Sequence, residues 1–303
     1  MKNVTKKTKF ILLLLLFPLL VFGQHPSKPA LKHVILIGCD GLGAYAMPNA
    51  EMPYLKKMME KGSWTLEARS VLPSSSAVNW ASMIMGAGPT AHGYTEWGSK
   101  TPEIPSGTID NYGLFPSIFG QLRQQQPSAT SAAIYSWGGI GPLLEKDAID
   151  WVIDGEGKDD WCAQKAASLI KEEQPNLLFV HFDQPDGVGH NIGHDTPEYY
   201  DELKNVDKRI ETIYKAVQEA GIADQTVIIV SSDHGGIDKG HGGKSTEEVY
   251  IPWVIQGPGI QSNHEITDLV MTYDTAATIA RLLGVTPHTS WRGRPVTDSF
   301  IIP

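Results

Sequence analysis

The chain holds only two cysteines, Cys39 and Cys162, among 303 residues. So few exclude a disulfide framework and leave either one bridge or two buried thiols packing as small apolar side chains. Basic excess is missing too: the formal net charge is -9, so there is no cationic footprint for sequence-specific or broad nucleic-acid binding. Internal repeats and low-complexity tracts are absent. The longest apolar run, residues 10–22, falls short of the ~20 residues that cross a bilayer. It follows Lys2, Lys6, Lys7 and Lys9, and Val21 and Gly23 stand just before Gln24, the pattern of a cleaved signal peptide over residues 1–23. Export to a periplasm or the medium is expected, with no membrane span left after cleavage and no cysteine placed to carry a lipid.

What is present suits a compact fold. Hydrophobic residues make up 41% and charged ones 19%, enough apolar material for a large core, and residues 24–303 read as one catalytic domain. His33 to Asp40 is a continuous apolar run ending in a polar residue, as a strand buried on both faces does. Residues 176–182 and 226–230 repeat the pattern, and 131–136 does so more weakly. Helical stretches fall between them at 77–85, 115–125, 159–171, 197–220 and 274–283. Alternating strands and helices predict an α/β fold with a mostly parallel central sheet and helices on both faces. The Pro- and Gly-rich stretch 98–113 reads as a long loop able to wall a substrate site.

In parallel sheets ligands gather beyond the carboxyl ends of strands. There the sequence places Asp40, then Asp183 with Asp186, then Asp233 with His234. One such acid is an ordinary loop cap, but three converging acids repel unless cations lie between them. His190 follows Asp186, and His241 follows Asp233-His234 in a Gly-rich segment. Carboxylate and imidazole together suit zinc or a similar ion, and the glycines allow tight bends that bring paired ligands together. Ser76 sits where a loop enters a helix, a place for a nucleophile activated by a divalent ion and equally for a plain N-cap.

These residues resemble the alkaline phosphatase superfamily, most of all its type I phosphodiesterase/nucleotide pyrophosphatase branch. Asp40 ends an early strand, Ser76 stands three residues before Asn79, and His92-Gly93 follows thirteen residues beyond Asn79. Asp186-Gly187-Val188-Gly189-His190, Ser232-Asp233-His234-Gly235 and His241-Gly242 come next, in the order of that branch. The resemblance implies an alkaline phosphatase-like fold and two divalent ions, with zinc the expected metal. Asp40, Ser76, Asp233 and His234 would hold one ion; Asp186, His190 and His241 would hold the other. It also implies in-line attack by Ser76 on a small phosphate ester, with nucleotide-like esters among the candidates, through a phosphoseryl intermediate.

One position departs from the branch: Trp97 stands where an Asn usually donates to a phosphoryl oxygen. Asn79, the Ala77 amide or Lys244 are candidate replacements, while Trp97 itself either stacks on a base or sugar or packs in the core. A sulfatase reading lacks the Pro and Arg expected around its modified residue. A phosphomonoesterase is the main alternative, with Arg69 and Lys244 the only cations near enough in sequence to meet a dianion. A non-catalytic metal-binding protein is a further alternative, disfavoured by the complete residue set.

Overall fold

The computed structural model describes Met1 and residues 31–301, and the signal-peptide expectation for residues 1–23 lies outside the described residues. Eight strands form one sheet: β1 (His33–Cys39), β2 (Ser63–Arg69), β3 (Ser131–Tyr135), β4 (Trp151–Asp154), β5 (Leu177–Phe182), β6 (Thr226–Ser231), β7 (Tyr250–Gln256) and β8 (His264–Glu265). Their spatial order is β4-β3-β5-β1-β6-β7-β2-β8. Strands β4 through β6 in that order run parallel, and β7 runs antiparallel to both β6 and β2. The expected mostly parallel sheet is therefore present, with a reversed strand on one side of it.

The helices are α1 (Pro53–Lys61), α2 (Ser76–Met85), α3 (Pro89–His92), α4 (Ile118–Gln125), α5 (Asp159–Glu172), α6 (Asp186–Asn191), α7 (Pro197–Glu219), α8 (Thr246–Val249) and α9 (Asp274–Leu283). The two-residue alternation of β1 divides the core. Val34 and Leu36 join a cluster with residues of α2, α4 and α9, while Ile35, Ile37 and Cys39 join one with residues of α1, α5 and α7. Helices thus cover both faces, as a parallel sheet requires. Cys39 and Cys162 are both buried and free in the second cluster, so they act as apolar side chains, and burial pushes the Cys162 thiol up to about 12.

Helix α4 starts three residues later than its sequence suggests. Pro116 precedes Ser117, whose Oγ accepts from the Phe119 and Gly120 amides as an N-cap. Residues 98–113 form turns and bends without a helix or strand. Among the described residues no helix is long and apolar enough to cross a membrane.

Strands β5, β1 and β6 lie side by side and parallel, with Gly38 level with both His181 and Ser231. Neighbouring strands are ~4.8 Å apart. The residues that leave their carboxyl ends therefore emerge at one rim, although the chain visits the three strands far apart in sequence.

Candidate metal centre and active site

Asp40 leaves β1 with both oxygens placed by neighbours. Its Oδ2 accepts from Trp80 Nε1 at 3.0 Å and lies 3.2 Å from His181 Nε2, while Oδ1 has no hydrogen-bond partner and lies 3.4 Å from His234 Nε2. Asp233 leaves β6. Its Oδ1 accepts from the Gly41 amide at 3.2 Å, and its unpartnered Oδ2 lies 3.2 Å from His234 Nε2. The Ser76 Oγ, at the first turn of α2, is 3.2 Å from the same nitrogen. The N-cap of α2 is Ser75, so Ser76 keeps its hydroxyl for the rim instead of capping the helix.

The second half of the centre comes from a helix, where bends at glycines were expected. Asp186 and His190 are the ends of one turn of α6, and four-residue spacing puts them on one face. Asp186 Oδ2 is 3.1 Å from His190 Nε2, which is 3.1 Å from His241 Nε2. Asp186, His234 and His241 form one group able to hold an ion, and Asp40, Asp233 and His234 form another. His234 belongs to both, and its ring stacks on that of His241 with centroids 3.7 Å apart. Asp183, directly after β5, stays outside both groups; its amide donates to Asp159.

Two features test whether these residues fit divalent ions. Three histidines set their Nδ1 against backbone carbonyls: His190 on Lys239 at 3.0 Å, His234 on Gly235 at 2.7 Å and His241 on Ser74 at 3.1 Å. An Nδ1 proton on a carbonyl leaves Nε2 as a lone pair, the arrangement of a metal-ligating imidazole. Facing these nitrogens are buried carboxylate oxygens without partners, Asp40 Oδ1, Asp186 Oδ1 and Asp233 Oδ2. Buried charge of this kind is tolerated only beside a cation, so the donor set fits two ions.

The electrostatics show the same crowding of acids, and the Asp186 hydrogen bond raises His190 to about 9, so an ion on its Nε2 would displace a proton. Burial, then Asp186 and Asp183, hold the Asp40 carboxyl well above its usual range; burial, then Asp40 and Asp186, do the same to Asp233. Asp186 is also pushed up by burial, but the His190 hydrogen bond and the nearby imidazoles bring it down to about 2. Burial, then His241, lowers His234 to about 3, which keeps it neutral and able to ligate.

Several residues singled out in the sequence stand elsewhere. The Asn79 side chain is buried and faces the loop: Oδ1 accepts from the Val71 amide at 2.7 Å, and Nδ2 donates to the carbonyls of Val71, Pro73 and Ser75. Its amide holds the segment before Ser76 in shape and has no donor left for a phosphoryl group. The Ala77 amide is likewise committed, donating to Trp97 O at 3.0 Å. Lys244 is exposed, and Arg69 lies over the Tyr250 ring. His92 is a buried support for α2, its Nε2 2.9 Å from Ser82 Oγ. Trp97 is 67% exposed, so it is no core residue. It lines a cleft of about 620 Å³ with Pro73, Ser75, Glu96, His190 and His241.

The sequence reading missed Trp80 and His181, which hold Asp40. A histidine inside the apolar run of β5 was the available signal. It also missed His194, buried 3.6 Å from Asp186 Oδ1.

Comparison with known proteins agrees with this geometry. Human ectonucleotide pyrophosphatase/phosphodiesterase family member 5 is 21% identical over 239 residues, 75% of this chain and 50% of that protein. An extracellular sulfatase homolog of Drosophila melanogaster is 33% identical over 100 residues, 31% of this chain and 9% of its own length. The chain spans half or less of these curated relatives. The solved human ectonucleotide pyrophosphatase/phosphodiesterase 5 superposes with a TM-score of 0.74 at 14% identity, covering 89% of this chain and 100% of that one. An inactive murine form, in complex with AMP, gives 0.70 at 14% identity over 85% of this chain and 96% of that one. These likenesses establish an alkaline phosphatase-like fold. The sequence profile of the type I phosphodiesterase/nucleotide pyrophosphatase family matches residues 34–241, and the chain belongs to that family.

Proposed function

We propose that this chain hydrolyses phosphodiesters or nucleotide pyrophosphates, using two divalent ions and a covalent phosphoseryl intermediate on Ser76. The observation that carries the reading is the set of three imidazoles, each anchored by Nδ1 to a carbonyl, whose Nε2 atoms face unpartnered aspartate oxygens next to the Ser76 hydroxyl. Asp40, Ser76, Asp233 and His234 would hold one ion, and Asp186, His190 and His241 the other; zinc suits this set. Such ions, when bound, favour the serine alkoxide and draw charge from the phosphoryl oxygens.

Ser76 Oγ attacks phosphorus in line, forming a seryl ester as the bond to the leaving alcohol breaks. Water then cleaves the seryl ester and restores the hydroxyl. Trp80 and His181 hold Asp40 in place through both steps, while the Asn79 amide keeps the Pro73–Ser75 loop shaped around Ser76.

The substrate class follows from the cleft. Pro73, Ser75, Glu96, Trp97, His190 and His241 line it without a Lys or Arg, so no lysine or arginine adds to the two ions in meeting the second charge of a phosphomonoester. The exposed Trp97 ring offers a face for a planar group. A nucleotide-like ester matches that face, and AMP is bound in a murine relative of the same fold. We also propose export from the cell, on the strength of residues 1–23.

Purified protein assayed with a phosphodiester, a phosphomonoester and a sulfate ester, alongside metal analysis, tests the reading. Two ions per chain, diester preference, and loss of at least about a thousandfold in kcat for Ser76→Ala are expected. Full activity in that variant would refute the nucleophile.

A further inference from the structure

We infer that His194 is a positioning residue for the Asp186 metal ligand, an inference that rests on the two-ion reading above. His194 lies in the turn between α6 and α7 and is 5% exposed. Its backbone amide donates to Asp238 O at 2.6 Å, which fixes that turn against the Gly-rich segment before His241. The ring occupies a slot between two glycines. A Cβ at Gly189 or at Gly236 would lie 2.3 Å from His194 Nε2, so any larger residue at either position would displace the imidazole.

The polar contacts of this ring differ from those of the three candidate ligands. Their Nδ1 atoms face carbonyls, which accept only, and their Nε2 atoms are therefore lone pairs. His194 Nδ1 instead faces the Tyr45 hydroxyl at 3.4 Å, a group that, unlike a carbonyl, is able to donate as well as accept. With Nδ1 accepting from Tyr45, the proton of neutral His194 sits on Nε2. That nitrogen points at Asp186 Oδ1 at 3.6 Å, a few tenths of an ångström beyond hydrogen-bond length. Both atoms are buried and neither has another partner.

The two oxygens of Asp186 are then divided by direction. Oδ2 sits 3.1 Å from His190 Nε2, and Oδ1 lies 3.6 Å from His194 Nε2 and 3.9 Å from His241 Nε2. Donation from His194 Nε2–H to Oδ1 fixes the carboxylate plane, and with it the directions in which Oδ2 meets His190 and Oδ1 meets His241. Tyr45 sets the tautomer, and the two glycines make the space. Partners of this kind are worth about 10- to 100-fold in metal affinity.

The test is zinc titration of the metal-free full chain against a chromophoric chelator, comparing wild type, His194→Ala, His194→Gln and Tyr45→Phe, with thermal unfolding of each metal-free form. His194→Ala is expected to weaken one of the two ions by about 10- to 100-fold and leave the other as in wild type. Gln carries an amide donor, so His194→Gln recovers most of that loss, and Tyr45→Phe weakens the same ion more mildly. Wild-type affinity for both ions in His194→Ala overturns the inference. So does equal weakening of both ions with a lowered unfolding temperature, the mark of general damage. Wild-type protein that binds no ion pair refutes the two-ion reading itself, a result visible without any variant.

Discussion

Gly38 makes room for Trp80: a methyl group on this β1 residue would lie 2.5 Å from the Trp80 Cη2 atom. The indole crosses the strand there, and its Nε1 reaches Asp40 Oδ2 at 3.0 Å. Gly38→Ala should therefore cost about 1–3 kcal/mol of stability, as overpacking of a dense core does, and loosen the Asp40 ion. Thermal unfolding and zinc titration read the two effects separately. Unchanged zinc affinity in a destabilised variant would show that the indole does not steer Asp40.

Trp97→Ala removes an exposed face of the cleft and touches none of the metal ligands. Stacking of a base on an aromatic ring is worth about 1–3 kcal/mol. KM for a nucleotide diester should rise about tenfold or more while a small aliphatic diester is hydrolysed as before. Equal effects on the two substrates would rule out a stacking role.

Asn79→Ala separates a support from a phosphate donor. Loss of its amide strands the Val71 amide and carbonyl, a cost of about 1–3 kcal/mol. Turnover per folded, metal-loaded molecule should stay within a few fold of wild type. Removal of an oxyanion donor would instead lower kcat by about 100- to 1,000-fold, and that outcome would return Asn79 to the chemistry.

Glu145 supplies a pH dependence away from the metal centre. Its buried carboxylate accepts from the Ser117 and Gly120 amides at the start of α4. Burial, and then a hydrogen bond that the protonated carboxyl donates to Asp110, raise it from 4.5 to about 8. The folded chain keeps this proton where the unfolded chain has lost it, so the contribution to stability is fully present below pH 4.5 and lost as pH rises to about 8. In zinc-saturated protein the unfolding temperature should fall across that window, and Glu145→Gln should flatten the fall. A wild-type slope retained in the variant would assign the effect to other groups.

The rim was legible because β1, β5 and β6 are buried on both faces, and unbroken apolar runs ending in acids announce such strands. Other strands gave weaker signals. In β7 the run Tyr250–Gln256 is broken by Pro252, which lowers a strand's claim to the middle of a sheet. The fold accommodates it with a register shift in β2 between Thr65 and Ala68, opposite Pro252. Strand β2 itself alternates polar and apolar residues over only seven positions. Asp186 and His190 were found from their spacing, but the helical turn that joins them was hidden by two glycines, which are poor helix formers. The uses of Asn79 and the Ala77 amide depend on carbonyls of Val71 and Trp97, and no local pattern reports such partners. His194 was lost for the same reason, since its slot is built by Gly189 and Gly236 from different segments.

Because β5, β1 and β6 meet only after long excursions of the chain, no short stretch of polypeptide contains a complete ligand set. A nascent or unfolded molecule offers only single ligands or short-range sets such as Asp186 with His190 and Asp233 with His234, each a poor trap for a cation. On the two-ion reading, high-affinity loading waits for closure of the central sheet, and zinc uptake during refolding would serve as a clock for that late event. The loaded ions would in turn bind together segments that separate first when the molecule opens, slowing its unraveling more than a comparable surface site could.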